Sequence, residues 1–380
     1  MTRLISSARL RWAVPALVAA AVAGAAITTS GGGAGAAERP KLPSKSAAQL
    51  LAAVQQAHPT SLAGTVVETA HLGLPDLPSS RGSQGGGDLS FQSLLTGSHA
   101  MKVWYAGPAR QRLALLAPLS ERDVVHNGTD LWIYTSTTNE VEHRAVAPNA
   151  PVTSQDLIGL TPQQAAQQAL QKVGPTTVVS VDDTARVAGQ AAYQIVLTPR
   201  DARSLVSSVR IAIDAATSVP LRVQVFGASS STTPAIEVGF TDISYSAVSP
   251  SIFDFVPPPG ATVEESADSS TATTPGRHVT PTPSIGAAPA TGWVPSTRPA
   301  QSGNTRTVLG TGWTAVQEMP FHLGYDEAGH LFWHLSEAVP GGRLITSSLV
   351  SVLLTDDGRL FVGPVSGAAI QQVAATGKGL

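Results

Sequence analysis

Three histidines crowd one stretch near the end of the chain, "HLGYDEAGHLFWH", and are the first residues whose types could do chemistry. His322, His330 and His334 lie there with Asp326 and Glu327 among them. On a helix, His330 and His334 at i, i+4 would share a face and could hold a metal ion. The glutamate of an H-E-x-x-H pattern is missing, because Leu331 follows His330. "GHLFWHL" reads instead as a strand or irregular piece, where histidines four residues apart would sit about 13 Å from each other. The expectation is a partly buried structural cluster. A metal-dependent activity built on it is the weakest of the functional readings.

Paired carboxylates come next: Asp182-Asp183, Asp356-Asp357 and Glu264-Glu265. Each falls at a predicted turn or linker edge, and aspartate favours turns because its side chain bonds nearby backbone, for reasons unrelated to proton transfer. No G-x-S-x-G elbow surrounds a serine. "GTGWT" at 310–314 and "GGGAG" at 31–35 lack the lysine and following helix of a phosphate loop. No catalytic residue, metal or cofactor is therefore assigned, and no enzymatic activity is expected.

Composition narrows the field. With no cysteine, thiol catalysis, disulfides, zinc-thiolate sites and a lipidated cysteine are excluded. Only 13% of residues are charged and the net charge is -2, which argues against nucleic acid as a partner. Arg3, Arg9 and Arg11 precede an apolar run from Trp12 to Ile27 and the small-residue stretch "TTSGGGAGAA". This is the order of a secretory signal, with a cleavage site after Ala34-Gly35-Ala36. The run is short of the ~20 residues that span a bilayer. Residues 1–37 are thus a signal peptide or an uncleaved anchor, and the rest is expected outside the cytoplasm, secreted or tethered to the membrane.

The elements that must position any site are mostly strands. "SKSAAQLLAAVQQAH" reads as a helix with Ser46 as N-cap, stopped by Pro59. A strand, "SLAGTVVETAHLGL", and a glycine- and serine-rich loop at 75–88 follow. Four strands at short spacing, including one around Asn127-Gly128, imply an antiparallel meander. "TPQQAAQQALQKV" is a second helix, with Thr161 as N-cap and Pro162 in the first turn. Five more strands run to residue 246, where Val209, Ile211 and Ile213 alternate with Ser208, Arg210 and Ala212, and Leu221, Val223 and Val225 with Arg222 and Gln224, so one face reads as apolar and the other as wet. "IFDFVPPPGATVEE" closes the region. Residues 266–306 are a Pro/Thr/Ser-rich linker, and 307–380 a small β-rich module with a hairpin at Asp357-Gly358 and a short final helix.

This order, with "GTVVETA", "VWYAGPARQRLALL", "VVHNGTDLWIY" and "FDFVPPPGATV", resembles the LolA/LolB-like lipoprotein-carrier superfamily, in particular its actinobacterial-type secreted members. The related MucB/RseB regulators share the N-terminal fold. The resemblance covers roughly Lys41 to Glu265 and implies a domain over 38–265. It implies an α+β, mainly antiparallel β fold: a strongly curved half-barrel sheet with helices in its concave side. It would set Leu50, Leu51 and Val54 of the first helix, and Leu170 and Val173 of the second, against that face. At the place of the carrier's lid-controlling arginine stands Gly107; Arg110 and Arg112 are near but not equivalent, so the lid mechanism does not carry over.

Most inward-facing aliphatic residues form a core. A curved sheet with few large aromatics and only two covering helices nevertheless underfills its concavity, leaving an apolar cleft suited to acyl chains. Its candidate walls are Leu50, Leu51, Val54 and Leu170 on the helices. On the first series of strands they are Val103, Tyr105, Leu113, Leu115, Val124, Leu131 and Ile133. On the second they are Ile195, Leu197, Ile211, Ile213, Val223, Val225, Val238 and Phe240. Val124, Leu131 and Ile133 are predicted to share the concave face, with Trp132 and Tyr134 pointing outward beside Glu121 and Asp123. The expected function is binding or carriage of an acyl lipid or lipoprotein, with peripheral membrane association. The alternative is an RseB-like envelope-stress module that binds an anti-sigma factor.

Overall fold

The computed structural model describes residues 39–74, 96–117, 120–148, 160–230, 232–266, 306–321 and 332–380. Residues 1–38, residues 75–95, residues 267–305, and His322 and His330 lie outside the described residues. Among the described residues no helix is long and apolar enough to cross a membrane.

Two helices form where local signals demand them. In α1 (Ala47–Gln55) the Ser46 hydroxyl accepts from the Gln49 amide while the Gln49 side chain accepts from the Ser46 amide. The same reciprocal cap, built from Thr161 and Gln164, starts α2 (Pro162–Leu170), with proline in the first turn where its missing donor costs nothing. Neither helix would be stable alone at this length, so packing holds them.

The strands are β1 (Leu62–His71), β2 (Thr96–Tyr105), β3 (Arg110–Ala117), β4 (Ser120–Asn127), β5 (Asp130–Thr135), β6 (Glu140–Ala145), β7 (Thr177–Val187), β8 (Gln190–Pro199), β9 (Val206–Asp214), β10 (Pro220–Gly227), β11 (Ile236–Ser244) and β12 (Thr262–Ser266). They make one curved, open, 12-stranded sheet in the order β12-β6-β5-β4-β3-β2-β1-β11-β10-β9-β8-β7. Every pairing is antiparallel except that of β12, which runs parallel to β6. The fold is mainly antiparallel β with few helices, as the sequence led us to expect.

Register fixes which side chains share a face. Val124 lies opposite Ile133 and Val125 opposite Trp132. Val124, Leu131 and Ile133 are buried in a core with Val66, Met101, Val103 and Leu113. Only Gly128 of the expected Asn-Gly turn takes a positive φ, at 68°. Asn127 remains in β4 and pairs with Asp130.

The other face of β5 is covered from outside. After β11 the chain makes a 3-10 turn at Pro250–Phe253 and crosses the convex side toward β6. The Arg112 guanidinium donates to the Ile252 carbonyl and pairs with the buried Asp123 at 2.6 Å. Burial pushes the Asp123 carboxyl up, against the pull of Arg112. Trp132 stacks on His143 at 3.8 Å and lies 5.5 Å from Phe255. Arg112 is thus a clamp on the convex side.

Several local expectations are corrected. The second face of β8 to β10 is not wet throughout, because Gln194, Ala212, Asp214 and Phe226 are buried there and Arg210 lies over the Phe226 ring at 4.6 Å. A register shift between Pro220 and Arg222 separates Leu221 from Val223, and the two join different cores. Asp182-Asp183 sits inside β7 at a bulge rather than at a turn, whereas Glu264-Glu265 lies near the end of β12, which stops at Ser266. Residues 332–335 are helical rather than extended, and His334 is exposed rather than partly buried.

The second sheet contains β13 (Thr307–Leu309), β14 (Val316–Pro320), β15 (Glu337–Val339), β16 (Gly342–Thr346), β17 (Ser351–Thr355) and β18 (Arg359–Gly363), in the order β13-β14-β18-β17-β16-β15. Helix α3 (Gly367–Thr376) packs Ile370 and Val373 on Leu344, Leu353 and Phe361. This unit sits against one end of the large sheet. Trp313 and Leu349 enter the same core as Leu50, Ile195 and Ile211. The Trp313 indole donates to the Thr177 hydroxyl at 2.8 Å, and backbone bonds join Leu205 to Pro364 and Ser348 to Leu72. The approach is close: a Cβ on Gly227 would meet the Ser348 carbonyl oxygen at 2.6 Å. Thr177 begins β7, Val206 begins β9, Gly227 ends β10 and His71 ends β1, so these strand ends all lie at the capped end.

Candidate functional site

The opposite end of the sheet is open. There, where β1 and β10 begin and β2 ends, a cavity of about 560 Å³ lies between the two helices and the sheet. Its floor is apolar: Val54 from α1, Leu62 from β1, Val103 and Leu113 from β2 and β3, and Phe240 from β11. Leu170 of α2, with Val219 and Pro220 at the start of β10, completes the wall. Alternation delivers these side chains, since Val103 pairs with Leu113 and Tyr105 with Gln111 on the concave face.

Of the residues singled out from sequence, Val54, Val103, Tyr105, Leu113, Leu170 and Phe240 line this cavity. Leu50, Ile195, Leu197, Ile211, Ile213 and Val223 are instead packed together in the core beneath the helices, joined at its margin by Leu51 and Val225. Leu115, Val124, Leu131, Ile133 and Val238 belong to the core of the first strands. Val173 packs at the margin of the helix-side core. The structure brings six of the candidates to one concavity and places the others in continuous packing beside it.

Polar residues at the mouth had drawn no attention in the sequence. Gln55, His58, Gln111, Thr161, Gln163, Gln164 and Gln167 all face the cavity. A signal was available: Gln163, Gln167 and Leu170 fall at i, i+4 and i+7, one face of a helix. Burial pushes the Tyr105 phenol pKa up, so it stays a neutral donor. Deeper along β1, burial raises the Glu68 carboxyl, against the Leu160 amide and His99.

What the arrangement offers is hydrophobic enclosure with hydrogen-bonding groups at one end. Among the described residues no group of three or more histidine and carboxylate side chains is placed to hold a metal.

No protein-family model matches the chain, and no curated protein matches it. Solved structures to which it is similar include the complex structure of Pseudomonas aeruginosa MucA/MucB, at 17% identity over 86% of this chain and 96% of that one, with a TM-score of 0.43. A LolA superfamily protein from Nitrosomonas europaea is 11% identical over 56% of this chain and 99% of its own, with a TM-score of 0.22. LprF from Mycobacterium bovis is 10% identical over 53% and 94%, with a TM-score of 0.29.

Proposed function

We propose that this protein is an extracytoplasmic, non-enzymatic binder of an acyl chain, presented by a lipid or a lipoprotein. The observation that supports this is the cavity of about 560 Å³ with an apolar floor and a single polar mouth. Its size falls in the range of roughly 300–1,000 Å³ typical of small-molecule sites. Each methylene taken from water contributes roughly 0.8 kcal/mol, so recognition needs shape and dryness more than specific contacts. Loading from a membrane surface would make the association peripheral. On this reading residues 1–37 direct export or anchor the chain, 38–265 form the binding domain, 266–306 are a tether and 307–380 a second domain.

Mass spectrometry of organic extracts from the purified protein tests the reading, together with uptake of parinaric acid and its methyl ester. A co-purifying acyl lipid and uptake of either probe are expected. Leu113→Trp, which fills the floor, should reduce uptake at least about tenfold. Clean extracts with no uptake of either probe would sink the idea.

A second reading, a regulatory module of RseB type that contacts an anti-sigma factor, is favoured by one observation. The second sheet is packed into the core of the first through Trp313 and Leu349, a feature outside the simple carrier pattern. Pull-down from envelope extracts tests it: one stoichiometric membrane-anchored partner supports it, and none argues for a carrier.

A further inference from the structure

The two helices over the cavity share an unusual surface. From Ser46 to Ala57 and from Thr161 to Gln171 there is no Asp, Glu, Lys or Arg, although 13% of the chain is charged. Long side chains on these helices that reach water are glutamines. Short solvent-facing helices ordinarily carry charges, which keep the chain soluble and suit the helix dipole. Half of these glutamines, Gln55, Gln163, Gln164 and Gln167, line the cavity.

The mouth extends that pattern to the sheet. Among the described residues lining the cavity there is no carboxylate, ammonium or guanidinium. Arg112, between the lining residues Gln111 and Leu113 on β3, is turned to the convex side and held by Asp123. The hydrogen-bonding groups at the mouth are largely uncommitted. The side chains of Gln55, His58, Gln163 and Gln167 and the Tyr105 hydroxyl have no partner among the described residues, while Gln111 donates to the Pro108 carbonyl and keeps its own oxygen free. Amides both donate and accept, and so does a phenol.

An anion seated at such a mouth would lose part of its hydration and meet no lysine or arginine among the described lining residues. Burying a charge without a partner costs far more than burying a hydroxyl or amide that finds hydrogen bonds. We propose, resting on the acyl-chain reading above, that the cavity selects amphiphiles with an uncharged, hydroxyl- or amide-bearing headgroup, held by a collar of Gln55, Gln163, Gln167, Gln111, Tyr105 and His58. The acyl chain supplies affinity from the floor, and the collar sets which headgroup is accepted.

The test uses the delipidated protein at about pH 7.5 and three ligands with one oleoyl chain each: 1-oleoylglycerol, oleate and oleoyl-lysophosphatidylglycerol. Displacement of a fluorescent probe should show 1-oleoylglycerol binding at least about tenfold more tightly than either anion. Equal or tighter binding of the anions overturns the headgroup proposal and leaves the acyl-chain reading standing. Failure of all three to bind overturns both. Gln167 is exposed, so Gln167→Lys should fold normally. It is expected to narrow the ratio by roughly threefold or more by providing a cation; an unchanged ratio counts against the collar as its source.

Discussion

At the capped end of the large sheet, Trp313 and Leu349 join the core that holds Ile195 and Ile211, neither of which has any exposed surface. At the open end the same kinds of side chain, valine, leucine and phenylalanine, face one another across a gap that no described residue fills. The residue types do not distinguish the ends; what arrives opposite them does. A second sheet seals one end, and amide-bearing helices overhang the other. A leucine is core or ligand wall according to its opposite number.

Three perturbations would break or sharpen this contrast. Trp313→Ala should have the largest effect, because it opens a cavity in the sealed junction and leaves the Thr177 hydroxyl without its indole donor. The expected loss is about 3–5 kcal/mol in urea denaturation. A loss below about 1 kcal/mol would mean the second sheet is not part of the first core.

Leu170→Ala enlarges a space that already exists, and the side chain is only half-buried. The expected destabilisation is about 1 kcal/mol, with a measurable change in acyl-probe affinity. If it matched the tryptophan variant in stability, the open end would be ordinary core.

The smallest effect belongs to His143, where β12 is laid on the sheet. Burial opposes protonation of the imidazole, but the carboxylates of Asp130 at 3.0 Å and Glu265 at 2.8 Å together outweigh it and hold the pKa above its ordinary value. Trp132 and Phe255 are the neighbouring uncharged groups. A raised folded-state value gives stability that is full below about pH 6.5 and is lost as pH rises through the folded-state pKa. The urea midpoint should therefore fall modestly as pH is raised from 6 into the alkaline range, by at most about 1 kcal/mol. His143→Gln should flatten that dependence.

What the sequence disclosed follows the range of the interaction concerned. Ser46 with Gln49, and Thr161 with Gln164, announce helix starts across three residues, and both caps form as read. The faces of β4 and β5 were legible because alternation needs only a short register. The parallel return of β12 to β6 was not, since nothing in "GATVEE" names a strand more than a hundred residues away as its neighbour. The bulge that divides Leu221 from Val223 breaks an alternation that looks perfect on paper. Trp313 gave no warning that it joins the second sheet to the core of the first, and the glutamines of α2 became informative only once the sheet placed a cavity beneath them.

An open sheet has two margins, and here one stretch of downstream polypeptide reaches both. The chain leaves the β12 margin at Ser266 and, beyond residue 305, returns to set Trp313 against Thr177, the first residue of β7 at the other margin. In polymer terms the backbone ties the two margins together as a hoop, fastened by pairing at one end and by an indole at the other. The entropic cost of closing such a hoop grows only with the logarithm of its length, roughly 0.6 kcal/mol per doubling.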